Sequence, residues 1–505
     1  MFEGQPKGLY ALALANTGER FGYYTMLAVF ALFLRANFGL EAGVAGTIYS
    51  TFLGLIYFLP LVGGMLADKF GFGKMVTIGI TIMFGGYLLL SLPMGGDTIA
   101  LVVMLAALVL IGFGTGLFKG NLQVMVGDLY NEAKFADKRD SGFSIFYMAI
   151  NIGALFAPTA AIKIMEWAQT ELGYSVNDSY HFAFAVACAS LIVSILIYYF
   201  SRPLFRHVEG GKKKTGDKSA ATVEVENLSP AETKQRVVAL CLVFAVVIFF
   251  WMAFHQNGLT LTYFADEFTS RSSEGVEALA FNVWNLVCVI IMVYSVFSIF
   301  QSKEVQTKFV SALVFAAALG VIVWQYMSQD GAVKVSAPIF QQFNPFYVVA
   351  LTPISLAIFG ALAKRGKEPS APRKIAYGMI IAAIGFIVMA VGSIGLPVPQ
   401  VDGEKHVADV TPQLLIYTYL VLTFAELLLS PMGISFVSKV APPHLKGMMM
   451  GGWFVATAIG NMLVSVGGFL WGGIPLWIVW TVFVVLCILS AIFMFAMMKR
   501  LEKVC

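Results

Sequence analysis

The chain has 505 residues, 59% of them hydrophobic and only 12% charged, with a mean hydropathy of +0.81. Soluble domains carry about 25% charged residues, so this composition excludes a soluble globular protein. The formal net charge of +4 is small and spread over loops, which gives no footprint for nucleic acid. What remains is a polytopic membrane protein.

A membrane-crossing helix needs roughly 20 apolar residues. Fourteen runs satisfy this: 9–34, 44–67, 74–93, 98–118, 141–165, 181–200, 237–264, 279–300, 308–328, 343–363, 374–396, 413–438, 447–470 and 474–498. Met1 to Gly8 lacks a basic n-region and a small-residue cleavage site, so no cleavable signal is expected. Lys and Arg alternate between connections. Lys69 and Lys74, Lys134 to Arg139, Arg202 to Arg236, Lys303 and Lys308, Lys364 to Lys374, and Lys439 with Lys446 all fall on one side. The other side carries acidic stretches such as Asp266-Glu267 and Asp402 to Asp409. The positive-inside rule makes the basic side cytoplasmic and puts both termini there; the expected location is a bacterial inner membrane. Cys188, Cys241, Cys288 and Cys487 lie within apolar runs and Cys505 ends the chain, which is no disulfide framework.

The first run contains Asn16-Thr-Gly-Glu19-Arg20-Phe-Gly-Tyr23-Tyr24. Ionisable groups at membrane depth are costly and mark pathways or buried pairs. Helical spacing puts Asn16, Arg20, Tyr23 and Leu27 on one stripe, with Glu19 and Tyr24 on its flanks. Between the second and third runs, Gly64 to Lys74 combines glycines for a tight turn with Asp68, Lys69 and Lys74. A linker at 201–236 is polar and Lys-rich. No Walker loop, no His-Glu-x-x-His and no Gly-x-Ser-x-Gly occurs, so neither a nucleotide-driven pump nor a hydrolase has sequence support.

Glu19-Arg20-Phe-x-Tyr-Tyr24 resembles the first-helix signature of the proton-dependent oligopeptide transporter family, a branch of the major facilitator superfamily. Gly64 to Lys74 resembles the superfamily's cytoplasmic loop motif. Further likenesses follow in order: Tyr57 in the second helix, Gly114 to Asn121 in the fourth, and Phe143 to Ala154 in the fifth. Phe250 to Gln256 is similar to the seventh, Asn344-Pro345 to the eighth, Glu426 to Gly433 to the tenth, and Gly451 to Asn461 to the eleventh. The resemblance implies an all-α fold of two six-helix bundles plus two extra transmembrane helices. The expected division is 1–200 as the N-terminal bundle, 201–236 as cytoplasmic linker and 237–264 as the seventh helix. An extra pair at 265–335 and the rest of the C-terminal bundle at 336–505 complete it.

The implied function is proton-coupled symport of di- and tripeptides by a monomer, with protons as coupling ion, no cofactor, no metal and no catalysis. A peptide is a zwitterion, so Arg20 and Lys119 are expected at its carboxylate and Glu426 at its ammonium. Asn151, Asn344 and Ser430 are candidate neutral partners, and Tyr24, Tyr57 and Trp453 candidate pocket walls. Glu19, His255 and Glu426 are the candidate proton-coupling groups. Three positions depart from the family pattern: Asn16 and His255 where carboxylates are usual, and Leu27 where a second arginine is usual. The last two form an ion pair in relatives, so their joint loss leaves no unpaired buried charge. The residues leave two other readings open: a carrier of the same fold for another small anion or amino-acid-like solute, and a weakly coupled facilitator or sensor.

Overall fold

The computed structural model describes residues 4–132, 134–135, 138–210, 228–399, 410–442 and 445–504. The acidic connection from Asp402 to Asp409 and the linker residues Lys212, Lys213, Lys214 and Lys218 lie outside the described residues. The described residues hold fourteen helical segments long and apolar enough to cross a membrane, matching the fourteen runs in the sequence.

The first six are α1 (Lys7–Phe38), α2 (Ala42–Phe70), α3 (Phe72–Leu90), α4 (Thr98–Asp128), α5 (Arg139–Thr170) and α6 (Val176–Phe200). Their ends follow local chemistry. Gly39, in the left-handed region, closes α1 by donating its N–H to the Arg35 carbonyl. The side chains of Asp97 and Ser175 accept backbone N–H bonds at the starts of α4 and α6. Between α2 and α3 the chain turns on Gly71 alone, at φ 100°, as the glycine-rich motif there suggests. Helix α4 nests against α2 so closely that a Cβ on Gly63 would stand 2.1 Å from the Gly116 carbonyl oxygen.

After the linker, α7 (Pro230–Phe254) opens with a capping box between Ser229 and Glu232 and with Pro230 in its first turn. It breaks into a 3-10 turn at His255–Gly258 and continues as α8 (Thr260–Glu267). The short α9 (Gly275–Ala278) leads to α10 (Val283–Gln301) and α11 (Val305–Met327). Two residue-pair strands, β1 (Ser272–Ser273) and β2 (Val333–Lys334), join antiparallel and tie the two ends of this insertion together. Next come α12 (Phe343–Lys364), α13 (Ala371–Gly392), α14 (Gln413–Val440), α15 (Lys446–Met462), α16 (Ser465–Leu470), α17 (Leu476–Ala496) and the terminal α18 (Met498–Glu502).

In the first bundle α1 packs on α5 and α6, and α4 on α2 and α3; in the second, α13 packs between α14 and α17, with α7 against α15. This is the major facilitator arrangement. The α10–α11 pair stands outside it. Ser311 donates to Ser298 between the two helices, Tyr294 donates to the Val349 carbonyl of α12, and α11 is almost wholly exposed. Its buried polar residues, Asn285 and Ser295 of α10, are neutral, in keeping with the pair's lack of internal charge.

The bundles meet most closely on the face opposite the termini. The first half of α2 packs on α15 and α16, where Gly468 closely approaches the Ala42 carbonyl. Gln341 donates to the Ala28 carbonyl at 3.1 Å, and Thr159 to Gln342 at 3.2 Å. Arg35 of α1 pairs with Glu267 at the end of α8. Glu267 also accepts from the Trp471 indole, and the Arg35 guanidinium lies 4.7 Å from the Tyr263 ring centroid. The hydropathy pattern places Asp266-Glu267 in a connection; the structure carries the helix through Glu267 and leaves its side chain only 10% exposed, against that cation.

Candidate functional site

A cavity of about 330 Å³ lies between the bundles. It is shut on the Arg35–Glu267 face. On the face carrying the termini it reaches solvent past Tyr147, Ile434 and Phe454, which are 50%, 44% and 36% exposed.

Helices α1, α2, α4 and α5 supply one wall with Arg20, Tyr24, Tyr57, Lys119 and Asn151. The opposite wall has His255 after α7, Asn344 from α12, Glu426 and Ser430 from α14, and Trp453 from α15. Ten of the eleven residues singled out in the sequence therefore line one space. Glu19 does not. It is fully buried behind the wall, where its two carboxylate oxygens accept from Nε and Nη2 of Arg20. Adjacent helical residues normally point apart; the long guanidinium folds back to make this contact, and its carbon lies 4.5 Å from the Tyr23 ring centroid.

This pairing fixes the charge pattern. Arg20 is neutralised locally by Glu19. Among the described residues Lys119 has no ion-pair partner; its ammonium lies 4.2 Å from the Tyr57 ring centroid. Glu426 likewise has no cationic partner among them and accepts a 2.8 Å bond from Asn344, which also donates to Thr423. One uncompensated cation and one uncompensated carboxylate thus occupy opposite walls of a mostly apolar cavity. Such a cavity is complementary to a small dipolar solute.

The departures from the family pattern also converge here. Leu27 and His255 both line the cavity, so the residues that replace the usual ion pair share one site. Asn16 is buried instead within the first bundle. Tyr23, on the same helical stripe as Arg20 and Leu27, also lines the cavity, and so do residues that carry no intramembrane charge or site expectation in the sequence, among them Gln123, Tyr147, Trp251 and Gln341. Two carried a signal: Tyr147 precedes Asn151, and Trp251 precedes His255, by one helical turn, and side chains four residues apart share a face. The Asn151 amide donates to the Tyr147 carbonyl at 3.0 Å.

The family model described as the POT family matches residues 73–228 and 321–467. The chain belongs to the POT family. A relative from Bacillus subtilis (strain 168), an uncharacterized transporter called YclF, is 31% identical and the match covers 90% of this chain and 86% of that one. A di-/tripeptide transporter of Lactococcus lactis is 28% identical with 90% and 87% covered, and the peptide transporter YePEPT of Yersinia enterocolitica is 28% identical with 92% and 88% covered. Among solved structures, a peptide transporter POT in complex with sulfate superposes with a TM-score of 0.74 at 23% identity, covering 100% of this chain and 96% of that one. A POT family transporter in complex with 5-aminolevulinic acid gives 0.75 at 19%, covering 99% and 98%. These structures establish the shared fold. The POT family and these relatives are transporters, so this protein is an integral membrane transporter and not an enzyme.

Proposed function

We propose that this POT protein is a proton-coupled symporter that imports di- and tripeptides by alternating access. The observation that carries the reading is the pair of unmatched charges, Lys119 and Glu426, on opposite walls of the central cavity. A peptide brings a carboxylate to the first and an ammonium to the second. Each substrate terminus replaces lost hydration by a charge-assisted contact. Tyr24, Tyr57 and Trp453 then meet the side chains through apolar area, which tolerates many sequences. Asn151, Asn344 and Ser430 are within the same space as neutral partners.

Glu19, His255 and Glu426 are the proposed proton sites. Protonating Glu19 would release Arg20 from its intrahelical pair and add a second cation to the Lys119 wall. Protonating Glu426 would remove the charge that holds the substrate ammonium. The protein works in this reading as a monomer in a bacterial inner membrane, with termini cytoplasmic and protons as the only coupling ion.

A second reading, a carrier of another small amino-acid-like solute, draws on the POT family transporter solved with 5-aminolevulinic acid, itself a dipolar molecule. Uptake of labelled dialanine into proteoliposomes, with and without an inward proton gradient, separates these. Gradient-dependent accumulation blocked by di- and tripeptides supports peptide symport. Equilibration without accumulation points to a facilitator. Absence of dialanine uptake together with uptake of labelled 5-aminolevulinic acid supports the second reading.

A further inference from the structure

Resting on the peptide reading, we propose that Lys119 and His255 together form the anion end of the site, so that the substrate carboxylate is held between the two bundles. Arg20 is removed from this role in the state described here. Its Nε and Nη2 are both committed to Glu19, which is fully buried and has no other cation to satisfy it among the described residues. Lys119 is the cation left over. It rests on Tyr57, and the other aromatic neighbour of Tyr57 is His255, with ring centroids 6.4 Å apart. One tyrosine ring is therefore shared by an ammonium from the first bundle and an imidazole from the second.

His255 is held for such a role. Its ring stacks on Trp251 at 5.3 Å and 23°, and it sits in the 3-10 turn that interrupts the seventh span, where the helix no longer constrains its direction. Its Nε2, like the Trp251 indole N–H, is buried without a hydrogen-bond partner among the described residues. Buried polar groups are rarely left so. The Lys119 ammonium, the His255 imidazole and the Trp251 indole all line the cavity, and among the described residues no protein acceptor serves Nζ, Nε2 or the indole N–H; an anion supplies acceptors to the ammonium, to the indole N–H and to the imidazole in its Nε2–H tautomer. Leu27, lining the same space, adds no competing guanidinium. The C-terminal carboxylate of a peptide is the anion of matching size, since its ammonium is drawn to Glu426 on the α14 wall.

The test compares dialanine with its C-terminal amide as competitors of labelled dialanine uptake in proteoliposomes. Wild type is expected to prefer the free acid. His255→Phe retains the ring and its stacking but has no nitrogen; it should lower the acid-over-amide preference by about tenfold, as expected for one hydrogen bond to a charged group. His255→Gln, which retains a donor, should restore part of it. A purely structural role would weaken competition by the acid and the amide alike without moving this ratio. If His255→Phe folds poorly, ligand-induced thermal stabilisation of His255→Leu and wild type by the acid and the amide reads the same ratio. An unchanged ratio in variants that still bind dialanine overturns the clamp while leaving peptide transport standing; wild type that binds no peptide overturns both.

Discussion

Replacing Glu19 by Gln isolates the energetics of the buried α1 pair. Glu19 is fully buried, Arg20 is 3% exposed, and the two share a pair of parallel hydrogen bonds. Removing the carboxylate charge leaves a guanidinium inside the protein with a neutral partner. Breaking a buried pair on one side costs about 3–5 kcal/mol, and two hydrogen bonds to charged groups at about 1.5–3 kcal/mol each bring an independent count to the same range. We therefore expect Glu19→Gln to destabilise the protein by about 3–5 kcal/mol. Arg20→Met should do likewise. The double variant, with neither charge, should recover at least half of the summed loss, because the two sites are directly coupled. The assay is equilibrium unfolding of the purified protein in detergent, carried through all four corners of the cycle. A coupling energy below about 0.5 kcal/mol, the scatter for independent sites, would refute the argument that the pair neutralises Arg20.

Lys119→Gln removes the unpaired cation without leaving a buried carboxylate orphaned, so expression and thermal stability should stay near wild type while the KM for dialanine uptake rises at least about tenfold. Gly63→Ala places a methyl group against the Gly116 carbonyl, which cannot move without shifting α4; the expected result is a cost of about 1–3 kcal/mol, seen as a lower unfolding temperature. Glu502 at the end of α18 has its carboxyl held below the usual range by hydrogen bonds from Arg373 and Ser370. A depressed carboxylate contributes stability that is present at neutral pH and lost as pH falls through its folded value. Glu502→Gln should accordingly narrow the stability difference between pH 7 and pH 3, as measured by thermal unfolding.

Much of this architecture is legible in the residues alone. Apolar runs of the right length mark all fourteen spans, and intramembrane polar residues mark those that face the cavity. Side-chain reach is less legible. Spacing puts Arg20 on the cavity stripe and Glu19 on its flank, yet only the folded chain shows the guanidinium turned back onto its neighbour. Long-range pairing is least legible of all. Arg35 and Glu267 are 232 positions apart, and each alone reads as a charge at a helix end. Glu267 also stands beside Asp266 in an acidic stretch, which masks the continuation of the helix. Trp251 and Tyr147 were recoverable, one turn from selected residues, once the cavity-facing side of their helices is known.

The break in the seventh span makes a lever. His255 and the 3-10 turn through Gly258 are its fulcrum, inside the cavity; α8 is its arm; Glu267, locked to Arg35, is its tip. Eight helical residues give an arm of roughly 12 Å. A rotation of about 10° at the fulcrum swings the tip by roughly 2 Å, enough to part a hydrogen-bonded ion pair whose useful range is only a few tenths of an ångström. A single short helix thus connects the turn in the cavity to the ion pair on the far face. A solute that drew His255 toward the opposite wall would act, through that helix, on an ion pair it never touches.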